Sequence, residues 1–168
     1  MGFFDKLTGT RHPDSGVTPV PFHDLRAALL ALNGTGVPFG VRDAGAEGVD
    51  LLAEWRVMEP ATGSGMSRRQ VERTFDIWMR LVAGERVVRV LEEQRAVTRA
   101  GNPPGRVVQQ EHSRGRIQWA HTDWTYERGP DGRRRRVVSF RADTRDMKGP
   151  LQKTVLGSGW TWRGVRTL

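Results

Sequence analysis

Thr74-Phe75-Asp76-Ile77-Trp78-Met79-Arg80-Leu81, then Ala83-Gly84-Glu85, then a valine-rich run over residues 87–97: the reading of this stretch decides the fold. Phe75, Ile77, Met79 and Leu81 alternate with Thr74, Asp76, Trp78 and Arg80. A period of two places the four apolar side chains on one face of a strand, whereas a helix would scatter them around its axis. The Ala-Gly-Glu break has the length of a hairpin connection, and Gly84 is able to take the positive φ that tight turns need. The spacing predicts a β-hairpin with one buried face.

Toward the N-terminus, residues 49–58 repeat the alternation. Val49, Leu51, Ala53, Trp55 and Val57 stand opposite Asp50, Glu54 and Arg56, which is the pattern of a half-buried strand. With residues 37–42 it makes a first hairpin. Phe22, Leu25, Leu29 and Leu32 follow helical spacing and are closed by Asn33-Gly34, a natural helix stop, so residues 22–32 read as an amphipathic helix. Residues 59–73 break the pattern, with a helical turn expected at 68–73. Residues 1–20 carry loop chemistry and are expected to be a flexible lead-in, in which Phe3, Phe4 and Leu7 offer a docking point for the domain, a partner or a membrane surface.

Toward the C-terminus, Gly101-Asn102-Pro103-Pro104-Gly105 is a second break, followed by a short strand at 107–111 and a turn at Ser113-Arg114-Gly115. Residues 117–126 and 135–142 flank Gly129-Pro130-Asp131-Gly132, which has type I turn chemistry. Gly149-Pro150 reads as the start of a short helix over 151–156 with proline at its first position, stopped by Gly157-Ser158-Gly159. Trp160-Thr161-Trp162 alternates as a last strand with both indoles on one face. The sum is an α+β domain over residues 21–168: a mostly antiparallel sheet of seven or eight strands, an N-terminal amphipathic helix and a short C-terminal one. The alternative architecture is a closed β-roll or barrel.

Composition narrows the classes. A chain of 168 residues fits one domain with its own core. Cysteine is absent, which excludes a disulfide framework, a thiol nucleophile and a cysteine metal site. No apolar run reaches the roughly 20 residues that span a bilayer, and the first seven residues do not read as an export signal. The expectation is a cytoplasmic bacterial protein. The formal charge is +8, from 27 basic residues of which only Lys6, Lys148 and Lys153 are lysine. Isoleucine stands only at 77 and 117 and asparagine only at 33 and 102, so GC-rich coding accounts for part of the arginine excess. A basic balance still favours nucleic acid or an anionic surface as partner.

Three groups carry candidate chemistry. Arg133-Arg134-Arg135-Arg136, joined by Arg128 and Arg141, is a candidate anion- or nucleic-acid-binding patch. In a strand, Arg133 and Arg135 point to one face and Arg134 and Arg136 to the other. No aromatic residue interleaves the tract, and a charged edge that discourages strand pairing explains it as well. His121 and Asp123 share a face with Trp119 at i, i+2 spacing, the geometry of an acid–base pair. A metal there would need a third ligand, for which His112 is nearest in sequence, and a hydrogen-bonded surface pair is the plainer alternative. Of six tryptophans, Trp78 and Trp124 fall on the more polar faces of their strands and are candidate interface residues. The glycine-rich run at 61–67 lacks the Gly-Lys-Ser/Thr ending of a phosphate-binding loop. Glu92 and Glu93 point to opposite faces and make a poor catalytic pair. No metal or cofactor is expected. The leading functional expectation is a non-enzymatic binding or adaptor domain that engages a protein partner. The alternatives are a binder of nucleic acid or anionic lipid through residues 128–141, and an enzyme using His121 and Asp123.

Two resemblances add to this. Val49-Asp50-Leu51-Leu52-Ala53-Glu54-Trp55-Arg56-Val57, with Lys148-Gly149-Pro150-Leu151 and Gly159-Trp160-Thr161-Trp162-Arg163-Gly164-Val165, resembles a group of small actinobacterial proteins with no assigned activity, over about residues 20–168. Phe39-Gly40-Val41-Arg42-Asp43 and Phe75-Asp76-Ile77 are similar in rhythm to the hairpins of the tubby and scramblase β-roll. That resemblance implies a barrel around an apolar C-terminal helix, contacting anionic lipid or DNA.

Overall fold

The computed structural model describes residues 9–168. The opening stretch forms strands β3 (Arg69–Val82) and β4 (Val87–Ala100), paired antiparallel from Arg69↔Ala100 to Val82↔Val87. Phe75, Ile77, Met79 and Leu81 are all buried, on the face that period-two alternation assigns them. The turn departs from expectation: positive φ falls on Arg86, at 53°, and not on Gly84. The chain reverses through four residues, with the Glu85 N–H donating to Val82 O at 3.2 Å and the Arg86 N–H to Ala83 O at 3.3 Å. In this longer loop the left-handed position comes last, just before the return strand.

Strands β1 (Gly40–Asp43) and β2 (Leu51–Met58) extend the sheet beyond β3. On its other side β4 carries two neighbours end to end. Val87 to Val90 pair in parallel with β8 (Thr161–Gly164), while Glu93 to Ala100 pair antiparallel with β5 (Arg106–Arg114). The remaining strands, β6 (Ala120–Arg128) and β7 (Arg134–Asp143), form a separate two-stranded sheet. The eight strands are thus mostly antiparallel among the described residues. Both sheets are open, and β1 and β5 end the strand path of the larger one, which overturns the closed β-roll or barrel alternative.

Helix α1 (Phe22–Ala31) runs into a 3-10 turn, Leu32–Gly34, and buries Leu25 and Leu29. Helix α2 (Arg145–Gly157) begins six residues before the expected start, so Pro150 lies inside it and not at its first position. The Asp143 carboxylate accepts the Arg145 N–H at 2.8 Å and Thr144 O accepts the Lys148 N–H at 3.0 Å, which starts the helix early. Met147, Leu151 and Val155 then recur every four residues and are fully buried. At about 1.5–3 kcal/mol for each buried side chain, that stripe outweighs the backbone hydrogen bond that Pro150 forfeits. The helical turn expected at 68–73 is instead a 3-10 turn at Gly65–Ser67, after which β3 begins.

Both helices pack their apolar stripes into one core with Leu51, Ala53, Trp55 and Val57 of β2, Phe75, Ile77, Met79 and Leu81 of β3, Val88 and Val90 of β4, and Trp160 and Trp162. The lead-in is tied to this core at several points, of which two stand out. Arg11 and Trp162 exchange backbone hydrogen bonds of 2.8 and 2.9 Å, and the Trp160 indole donates to Val20 O at 2.9 Å. Gly159 makes the second tie possible: its φ is +74°, and a Cβ there would lie 2.6 Å from Pro19 Cα, so only glycine fits. The expected docking point at Phe3, Phe4 and Leu7 lies outside the described residues.

A candidate binding face on the β6–β7 hairpin

The two-stranded sheet is held to the core at its base. Thr144 brackets Trp119, its N–H donating to Trp119 O at 2.9 Å and its hydroxyl to the same oxygen at 3.1 Å. The Trp119 ring packs 5.3 Å from Phe75, with the Arg73 guanidinium 5.1 Å from its centroid. Beside it, Lys148 and Glu92 form a buried ion pair at 2.5 Å, and both bond to Ile117: the Glu92 carboxylate accepts the Ile117 N–H at 2.7 Å and Lys148 donates to Ile117 O. A charge pair this well buried is held in place by its hydrogen bonds and fixes the strand that follows.

From that base the hairpin runs outward with its side chains sorted by register. Thr122 pairs with Arg141, Trp124 with Val138, Tyr126 with Arg136 and Arg128 with Arg134. Because the register shifts between Asp123 and Trp124, Ser139 is left over as a bulge. Simple alternation along β7 separates Arg141 from Arg134 and Arg136. The bulge brings it back to their face. One face therefore holds Arg128, Arg134, Arg136 and Arg141 together with Trp124, Tyr126 and Val138. Among the described residues the one carboxylate of the hairpin on this face is Asp143, at its base opposite Ala120; it is buried and bonded to Arg145. Asp123 and Glu127 are on the other face, with Arg135 opposite Glu127, while Asp131 occupies the tip, where it pairs with Arg135 at 3.2 Å and accepts the Arg133 N–H. Trp124, Tyr126 and Val138 are 47, 68 and 48 % exposed. The Arg136 guanidinium lies 4.3 Å over the Trp124 ring, the arrangement of a cation–π contact. The tract thus does have aromatic neighbours. They stand across the hairpin and not beside the arginines in sequence.

No family model, curated protein or solved structure matches the chain.

The other candidates are placed as follows. His121 and Asp123 do pair, Nε2 to Oδ1 at 3.1 Å, with side chains 37 and 41 % exposed. The His121 ring stacks on Trp119 at 6.1 Å and 9° and lies 5.8 Å from Phe140, so it belongs to a file of rings leading from the core to the hairpin. His112 lies on β5, in the other sheet, and among the described residues no group of three potential ligands is placed to hold a metal ion. Trp78 and Trp124 stand on different sheets. Trp78 lies on the face of β3 turned away from the helices, where its indole donates to Glu93 at 3.2 Å.

That outer face carries a row that sequence reading missed. Glu54, Asp76 and Glu93 are direct neighbours across β2, β3 and β4, and each meets an arginine: Arg56 at 3.4 Å, Arg95 at 2.6 Å and Arg114 at 2.5 Å. Asp76 is only 2 % exposed and its Oδ1 has no hydrogen-bond partner. Burial raises its carboxyl above the usual aspartate range, and Arg95 opposes the rise. Alternation marked Asp76 as polar-face; only the register reveals its like-charged neighbours.

Where β8 and β5 leave the edge of β4, a cleft of about 480 Å³ opens, lined by Val90, Glu92, Arg114 and Arg166 among others. An adjoining cleft of about 370 Å³ shares Glu92 and is lined by Gln118, Arg145 and Lys148. Three of the lining charges are answered within the chain: Glu92 by Lys148, Arg114 by Glu93, and Arg145 by Asp143.

Proposed function

We propose that this protein is a non-enzymatic binding domain that holds a polyanionic partner on the outer face of the β6–β7 hairpin. The observation that carries the reading is the sorting of charge by register: Arg128, Arg134, Arg136 and Arg141 share a face with three exposed apolar residues, while the hairpin's exposed carboxylates stand on the other face or at the tip, and Asp143, at the base of the basic face, is buried and bonded to Arg145. On the large sheet and the helix beside it, arginines such as Arg42, Arg73, Arg95 and Arg114, and Arg26 of α1, are matched to carboxylates of the chain. On the hairpin face the neighbour of Arg136 is an indole. Guanidinium groups held this way are suited to phosphate or sulfate oxygens. Placing Trp124 at the centre of the basic face, away from Trp78, favours a charged partner over one gripped by tryptophans alone.

The test is titration against polyanions (DNA, RNA and vesicles of anionic lipid) at several salt concentrations. The wild-type protein should bind at least one of them, with affinity falling as salt rises, and a variant with alanine at Arg128, Arg134, Arg136 and Arg141 should lose that binding. Equal affinity in the two proteins, or an affinity indifferent to salt, would remove the reading.

A further inference from the structure

Resting on that reading, we infer that the polyanion is a single-stranded nucleic acid, and that Tyr126, with Trp124 beside it, supplies a platform on which its bases stack. Trp124 and Tyr126 are two residues apart on β6, so their rings project from the same face, from backbone positions about 6.8 Å apart. That spacing accommodates the bases of a stretched single strand, one on each ring. Tyr126 is the chain's only tyrosine and is 68 % exposed, which leaves its ring open to a partner. Trp124 already has Arg136 over its ring, and a guanidinium so placed can meet a phosphate of a strand whose base lies alongside. Arg134 and Arg136 face Arg128 and Tyr126 across the hairpin, so the rings are flanked by cations along the ribbon.

Other polyanions fit less well. A duplex hides its base faces and would leave the rings unused. A membrane would be met most naturally by an apolar tip, whereas this tip is Gly129-Pro130-Asp131-Gly132, with Asp131 bonded to Arg133 and Arg135. Base–aromatic stacking combined with a basic track is the mode by which proteins hold single strands without strict sequence preference.

The experiment compares four probes with the full chain: a 12-nucleotide oligodeoxythymidine, the same strand in duplex, a 12-mer of equal charge with abasic sites at its centre, and vesicles of phosphatidylglycerol. The oligodeoxythymidine should bind about tenfold more tightly than the abasic strand and the duplex. With four arginines engaged, the logarithm of its affinity should fall with the logarithm of salt at a slope of about −3. Tyr126→Ala should weaken oligodeoxythymidine about tenfold and leave the abasic strand unchanged, and Tyr126→Phe should restore it, because only the ring is needed. Equal affinity for the intact and abasic strands would overturn the stacking inference while leaving the polyanion reading in place. Binding to vesicles alone would assign the face to a membrane and overturn it as well. No binding to any probe would end both.

Discussion

Asp76 and Asp143 are shifted in opposite directions, and the difference is one of surroundings. Asp76 lies between Glu54 and Glu93 with one oxygen bonded to Arg95 and the other without a partner. Burial dominates and raises its pKa. Asp143 is held below the usual range, first by its hydrogen bond to the Arg145 side chain and then by the Arg145 backbone N–H. A raised carboxyl favours folding in its neutral form, so its contribution is fully present below the unfolded value of about 3.9 and is lost as pH rises through the folded one. Asp76→Asn, which imitates the neutral form, should therefore raise the melting temperature at pH 7, with the gain shrinking toward zero as pH falls below about 4. If the variant melts lower than wild type at pH 7, the Arg95 pair outweighs burial and this account of Asp76 is wrong. Asp143→Asn should behave in reverse. It should melt lower than wild type at pH 7, and the deficit should vanish only as the pH drops through the lowered value. Thermal melts of both variants from pH 3 to pH 8 separate the two cases.

At the scale of elements, α2 joins two glycines with opposite roles. Gly149 sits within the helix, and a Cβ there would meet nothing within 4 Å. Gly149→Ala should stabilise the protein by about 0.5–1 kcal/mol, seen as a rise of roughly 1–4 °C in melting temperature. Were the helix to begin only at Pro150, that gain would not appear. Gly159→Ala should cost more than about 1–2 kcal/mol, because its left-handed φ and its approach to Pro19 both exclude a Cβ. Such elements differ in how far sequence reveals them. The alternation of Phe75, Ile77, Met79 and Leu81 is a property of neighbouring residues and is legible without coordinates. The start of α2 is not, because it depends on Met147 and Leu151 finding a core to bury against, which local chemistry around Gly149-Pro150 contradicts. The binding face is legible in half. The arginines are visible as a tract. Their company with Tyr126 and Trp124 follows from cross-strand register and from a bulge at Ser139, neither of which sequence spacing encodes.

For the molecule as a whole, order is distributed unevenly along single strands. The first part of β4 lies between β3 and β8 and buries Val87, Val88, Val90 and Leu91. The last part lies between β3 and β5, and every residue of β5 is exposed. The β6–β7 hairpin is likewise exposed over most of its length and is anchored at its base through Trp119, Ala142 and Thr144. Local opening follows burial, since a segment with few apolar contacts can separate without unfolding the core. Amides of residues 77–81 and 88–91 should therefore exchange only through global unfolding, while those of β5 and of residues 124–138 exchange faster, through smaller openings. A bound strand that lies across Trp124, Tyr126, Arg134 and Arg136 holds both arms of the hairpin at once. Saturating oligodeoxythymidine should then slow exchange across β6 and β7 and leave β5 unchanged, although β5 is just as exposed. Hydrogen exchange with and without the strand reads both expectations in one measurement. Protection appearing on β5 in place of the hairpin would move the contact to the wrong sheet, and uniform exchange across β4 would show that the core does not end where burial says it does.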